Sequence, residues 1–172
     1  MKYRKLKNND FTAYEELRKE ALAKEPQAFS ATEEAEAVVR KPRFEAMLKS
    51  PSNFIIGGFL ENTLVGMSGF FRFEGKKAHH KGIIWGVYIQ EQHRKMGIGK
   101  EIVAKTIKEI WKDEAITLVQ LGVGLNNFPA INLYANLGFE SYGVEKRAFL
   151  INGEYIDEYL MAMVRPGTED KE

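Results

Sequence analysis

The chain has 172 residues, a length that suits one domain with a substantial core. Its 44% apolar and 28% charged content is that of a globular protein, and a net charge of +1 sets up no global field for nucleic acid or an acidic membrane. Cysteine is absent, which excludes a disulfide framework, thiolate metal sites and a cysteine nucleophile. No apolar run approaches the ~18–20 residues of a membrane span and MKYRKLKNND lacks a signal core, so a cytoplasmic chain is expected.

Tyr3 to Leu6 reads as a short first strand, and Asn9 or Asp10 as the N-cap of a helix. Phe11, Tyr14, Leu17, Ala21 and Leu22 recur at helical spacing and give that helix one buried face; Pro26 ends it. After the turn-rich loop Glu25 to Thr32, a second helical stretch runs from Glu33 to Leu48, with Pro42 expected to break it in two. The period then changes. Phe54 to Leu60 and Leu64 to Phe73 are aromatic and β-branched around Glu61-Asn62, a hairpin, and Gly82 to Ile89 is the next strand beyond a charged turn.

A helix from Ile98 to Lys112 carries Ile98, Ile102, Val103, Thr106, Ile107, Ile110 and Trp111 on one face and charges on the other. Thr117 to Val123 is a strand. Asn127 caps a short helix with Pro129 in its first turn, and Gly138 is placed as a left-handed C-cap with Phe139 beyond it. Two strands close the chain, Glu140 to Ile151 and Glu154 to Val164, joined at Asn152-Gly153, the strongest short hairpin signal. The order β-α-α-β-β-β-α-β-α-β-β predicts one α/β domain over residues 1–166, a single sheet with helices on its faces, and a polar tail over 167–172 expected to fray.

Two constellations carry chemistry. In the first, Arg94-Lys95-Met96-Gly97-Ile98-Gly99-Lys100 joins a strand to a helix N-terminus, where backbone N–H groups and flanking cations suit a pyrophosphate. The same residues also suit glycines that serve only close strand–helix packing. A Walker loop is absent, and Ile102 stands where a Rossmann fingerprint needs its third glycine. Gly122 and Gly124 read as a strand end that another backbone passes closely. In the second, Asn127 and Tyr134 lie two helical turns apart, about 10 Å along one face, with Ala130 leaving room between them. An N-cap asparagine and a half-buried tyrosine would account for that pair as well.

Together these motifs resemble the GNAT family of N-acetyltransferases. Arg94, Gly97 and Gly99 match its Arg/Gln-x-x-Gly-x-Gly/Ala coenzyme motif, and Asn127, Ala130, Leu133, Tyr134, Leu137, Gly138 and Phe139 match its second motif. Leu17-Arg18 through Phe29-Ser30, and Asn152 through Glu158 with Met161, are similar to the first helix and closing hairpin of a branch of small bacterial-type acetyltransferases.

The resemblance implies a mixed, mostly antiparallel sheet with helices on both faces, and transfer of an acetyl group from acetyl-CoA to a primary amine. The backbone of Val87, Tyr88 and Ile89 would pair with the pantetheine arm, the N–H groups from Lys95 to Lys100 would cradle the pyrophosphate beside Arg94, and Asn127 would contact the pantetheine. Tyr134 would stand at the sulfur as general acid. With ordinary pKa values near 10 for a tyrosine and 8.5 for a thiol, full proton transfer there is uphill by about 2 kcal/mol, which favours a hydrogen-bond donor over an acid.

Many family members carry a glutamate as base on the strand before the loop, and none stands between Gly82 and Ile89. His79, His80 and Asp157 are the candidates, or a water chain. The expected acceptor is a small amine such as an amino acid, in a pocket shaped by Phe29, Tyr155 and Asp157. Acetylation of protein N-termini or lysines, or a non-catalytic acyl-CoA sensor, are the competing readings. No metal set, nucleic-acid surface or membrane segment is expected, and a homodimer is compatible with the family.

Overall fold

The computed structural model describes residues 1–168; the rest of the expected tail lies outside the described residues. Seven strands form one sheet: β1 (Lys2–Lys5), β2 (Phe54–Leu60), β3 (Thr63–Arg72), β4 (Lys81–Ile89), β5 (Leu118–Gly124), β6 (Glu140–Ile151) and β7 (Glu154–Val164). Their spatial order is β1-β2-β3-β4-β5-β7-β6, and every neighbouring pair is antiparallel except β4 with β5. The closing hairpin turns at Asn152 and Gly153, both left-handed (φ 51° and 83°), as the tight two-residue turn requires.

Helices cover both faces, as expected. On one face α1 (Phe11–Lys24) and α3 (Arg40–Lys49) pack Tyr14, Leu17, Ala21 and Phe44 against Ile55, Leu64, Met67 and Tyr88. On the other, α4 (Ile98–Ile110) sets Ile98, Ile102, Val103, Ile107 and Ile110 against Ile56, Val65, Ile84 and Val119, and α5 (Phe128–Asn136) adds Tyr134. The 3.6-residue apolar stripe of α4 is therefore the stripe it buries. Among the described residues no helix is long and apolar enough to cross a membrane.

Two local expectations are corrected. The second helical stretch does divide, into α2 (Glu33–Ala37) and α3, but at Val38-Val39 rather than at Pro42. Pro42 sits in the first turn of α3, where the missing N–H would have had no helical partner. Asp10 precedes α1 without capping it; its carboxylate accepts the Lys7 N–H at 2.7 Å and pairs with Arg4.

Two irregularities shape the centre of the sheet. The β4–β5 pairing lasts only from Lys81–Leu118 to Ile83–Gln120, after which β4 runs on to Ile89 and β5 to Gly124 without pairing to each other. In β4, Tyr88 pairs with Met67 and Trp85 with Gly69, so Gly86 and Val87 together oppose Ser68. This is a β-bulge, and Gly86 takes the left-handed conformation it needs (φ 63°).

The helices on the α1 face are tied by a buried ionic cluster. Arg18 bonds both oxygens of Glu36 (2.9 Å from Nε to Oε1, 2.8 Å from Nη2 to Oε2), and Arg40 reaches Glu36 at 3.3 Å and also bonds Glu33. Burial works to raise the Glu36 pKa, but Arg18 and Arg40 outweigh it and hold the carboxyl below its ordinary value. Removing one member of such a group leaves a buried charge uncompensated. Glu36→Gln is thus expected to lose about 3 kcal/mol of stability at pH 7 in urea unfolding. Because the folded-state pKa is depressed, the ion-pair contribution is complete at neutral pH and fades as pH falls below 4.5, so wild-type stability should decline more steeply with acid than the variant's.

Candidate functional site

The unpaired stretch of β4 presents backbone groups to an open gap. Gln90 N–H donates to the Val65 carbonyl at 3.0 Å, toward β3, so strand alternation turns the N–H groups of Val87 and Ile89 toward β5. The side chains of Val87 and Ile89 pack on the α4–α5 face. Tyr88 points the opposite way into the α1 core, where its hydroxyl donates to Glu20 at 3.0 Å; burial and that carboxylate push its pKa up to about 12. Only its backbone belongs to the gap.

Beyond Ile89, a short 3-10 turn (Glu91–His93) leads into the glycine loop. Lys95 (φ 62°) and Gly97 (φ 77°) are both left-handed, and Lys95, Met96 and Gly97 are exposed. Gly97 is also the N-cap residue of α4 and offers no side-chain cap, so the first amides of the helix, Ile98 to Lys100, have no partner within it. The two glycines serve different ends. A Cβ on Gly97 would meet nothing within 4 Å, so its backbone angle demands glycine; one on Gly99 would lie 3.2 Å from Leu133 Cδ1, so packing against α5 demands it.

Arg94 folds back from the loop. Its Nε donates to the Ile89 carbonyl at 3.0 Å and its Nη1 pairs with Glu25 at 2.8 Å, which joins the α1–α2 connection to the end of β4. Lys95 and Lys100 have no ion pair among the described residues and are the cations left to the loop.

Across the gap, the Asn127 carbonyl oxygen caps α5 through Ala130 N–H at 3.3 Å, leaving its amide N–H groups without a described partner. Gly138 ends the helix left-handed (φ 98°), and Phe139 lies edge-on to the Tyr134 ring at 6.0 Å. Tyr134 is 6% exposed and its hydroxyl bonds no described residue. Burial alone raises its pKa well above the ordinary tyrosine value.

The remaining predicted residues fall in several places. Phe29 stacks on the Arg18 guanidinium at 4.8 Å, on the α1 face of the bulge. Tyr155 is exposed, with Arg147 over its ring at 4.6 Å. Asp157 is held by Arg147 N–H and Lys146 Nζ, each at 2.8 Å; these bonds lower its pKa and make it a poor base. His79 and His80 precede the far end of β4, about 25 Å of strand from Ile89, so neither histidine belongs to this gap.

Two groups escaped the sequence reading. Arg18 Nη1 is buried without a partner and lies 3.7 Å from where a Cβ on Gly86 would stand. Glu158 lies over Gly122: a Cβ there would be 2.9 Å from its Oε2. A side chain, not a backbone, therefore explains the glycine at 122. Strand parity was the available signal, since on β7 it separates Glu158 from Asp157.

The model of the acetyltransferase (GNAT) family matches residues 13–139. The chain belongs to the GNAT family. Among its relatives, an L-amino acid N-acetyltransferase of Escherichia coli (strain K12) is 31% identical over 81 residues, covering 47% of this chain and 50% of the relative. An N-alpha-acetyltransferase of Sulfurisphaera tokodaii is 40% identical over 85 residues, covering 48% of this chain and 47% of the relative. The chain thus spans about half the length of these two relatives. In fold, it superposes on a putative acetyltransferase of Salmonella typhimurium, solved with its cofactor acetyl-CoA, with a TM-score of 0.87 at 17% identity, covering 100% of this chain and 98% of that one. In this chain α4 and α5 meet beside the loop at Gly99 and Leu133. Gly99→Val should drive methyls into Leu133 and Ile89 and cost about 1–3 kcal/mol in urea unfolding.

Proposed function

We propose that this GNAT protein transfers the acetyl group of acetyl-CoA to the primary amine of a small molecule, an amino acid or a similar small amine. The observation that carries the reading is the gap between β4 and β5 with a left-handed glycine loop at its end. The residues present fit the coenzyme: free N–H groups on Val87 and Ile89, uncapped amides from Ile98 to Lys100, the Asn127 amide and an unpartnered Tyr134 hydroxyl would line its path. In this reading the amides between Lys95 and Lys100 hold the pyrophosphate, with Lys95 and Lys100 supplying charge that Arg94 has given to Glu25. Val87 and Ile89 bind the pantetheine arm as a neighbouring strand would, and an N–H there stabilises the thioester oxygen as charge grows on it.

Tyr134 then donates a hydrogen bond to the departing sulfur. Its raised pKa makes the phenol a weaker acid than an ordinary tyrosine, so it steadies the thiolate without surrendering its proton. A small acceptor is supported by the turn Pro26–Ala28, where the Gln27 carbonyl comes within 3.9 Å of a Cβ position on Gly124 and narrows the entrance at the end of β5. The relatives named N-alpha-acetyltransferases favour a second reading, acetylation of a protein N-terminus, which would need that turn to move aside.

Three measurements bear on this. In a thiol-release assay, free amino acids should support turnover and short peptides should not; the opposite order would give the second reading. Gly97→Val should weaken acetyl-CoA binding at least tenfold by calorimetry, because a branched residue resists the left-handed angle. Tyr134→Phe should lower kcat about 100-fold while leaving acetyl-CoA affinity nearly unchanged.

A further inference from the structure

We propose that Glu158 is the general base that takes the proton from the acceptor amine, an assignment that rests on the acetyltransfer reading above. The pairing of β4 with β5 ends at Ile83 and Gln120, and Gly122 is the next residue of β5 on the same face as Gln120. The Glu158 carboxylate leans across that glycine, with Oε2 2.9 Å and Oε1 3.3 Å from the position of a Cβ. It therefore overhangs the edge of the gap where the strands part. The missing side chain at 122 is what leaves room for it.

The face is the right one. Tyr159 and Met161 on β7 pack toward α4 and α5, so Glu158, of the opposite parity, points to the other side, the side of Trp85, Phe29 and Arg18. Tyr134 belongs to α5, on the other face of the sheet. A nucleophile arriving past Glu158 meets the thioester carbon from one face while the sulfur departs toward the other.

The carboxylate is also idle. Glu158 is only partly buried and makes no hydrogen bond or ion pair with any described residue, whereas its neighbour Asp157 has two. Its charged neighbour is Glu145, its cross-strand partner on β6; β5 offers Gln120, Gly122 and Gly124, and the Pro26–Ala28 turn offers Gln27. Partial burial first, and then Glu145, raise its pKa above the ordinary glutamate value, which strengthens it as a base.

In the step, the acceptor enters as an ammonium and passes one proton to Glu158. The freed nitrogen lone pair forms the C–N bond at the thioester carbonyl carbon, the C–S bond breaks with its electron pair on sulfur, and the second proton lost from nitrogen protonates that thiolate. Glu158 returns its proton to solvent.

The test is the pH dependence of kcat/KM between about pH 5 and 9, by thiol release with the best free amino acid of the panel, for the wild type, Glu158→Gln and Glu145→Gln. Glu158→Gln should lower kcat about 100-fold or more and abolish the acid limb, with melting temperature and acetyl-CoA affinity by calorimetry unchanged. Glu145→Gln should keep the plateau and move the acid limb to lower pH, since the like charge is gone. Full activity with the limb intact in Glu158→Gln overturns the assignment, as does an activity loss matched by lost acetyl-CoA affinity or an unmoved limb in Glu145→Gln. A wild-type chain that binds no acetyl-CoA, or releases no thiol with any amine, overturns the acetyltransfer reading itself; turnover with an unaffected Glu158→Gln overturns only the base.

Discussion

The parallel contact between β4 and β5 holds from Lys81 to Ile83 and then gives way, and the placing of every other element depends on that separation. Opening a sheet at its middle exposes N–H and C=O groups on two inner edges, at a cost of about 1–3 kcal/mol for each one left without a partner or water. The fold tolerates this because each half of the sheet is anchored independently. Strands β1 to β4 form an antiparallel block, and β5, β7 and β6 form another. The core under α4 joins the two blocks, drawing Ile56, Val65 and Ile84 from one and Val119, Leu121 and Met161 from the other. The gap is thus held open by what is packed beneath it.

The two faces of the sheet divide the chemistry. On the α4–α5 face the surroundings are apolar, which leaves Tyr134 a neutral hydroxyl in a dry setting. The α1 face adds an ionic cluster to its apolar core, with Arg18 and Arg40 buried beside Glu36 and Arg18 Nη1 without a partner near Gly86. In the transfer proposed above, the thioester would lie on the first side and the amine on the second. One layer of backbone separates them.

Much of this was legible in the sequence, and the exceptions have physical causes. Hydrophobic periods of 2 and 3.6, the Asn152-Gly153 turn and the Gly138 cap are local signals, and local energetics decide them. The break at Val38-Val39 was misplaced because proline is read first as a breaker, although at Pro42 it stands where a helix tolerates it. Arg94 looked like a ligand for phosphate because its sequence neighbours are the loop; its partner, Glu25, lies on a different element and no spacing rule reaches that far. Glu158 was hidden for a related reason. Asp157 and Glu158 are chemically alike and adjacent, and only the pairing of β7 with β5 shows which carboxylate leans over Gly122 and which is spent on Lys146.

The bulge at Gly86 acts like a frameshift in the pleat. Ahead of it, even-numbered residues of β4 face α4, as Ile84 does; after it, odd-numbered ones do, as Val87 and Ile89 show. A β4 of the same length that ran through Gly86 in regular pleat, without the bulge, would carry Tyr88 into the α4 core and turn Val87 and Ile89 toward α1, and their backbone donors would swap edges with them. The bulge therefore sets the meaning of every position between Gly86 and the glycine loop, and straightening it with the residue kept in place would reverse them all.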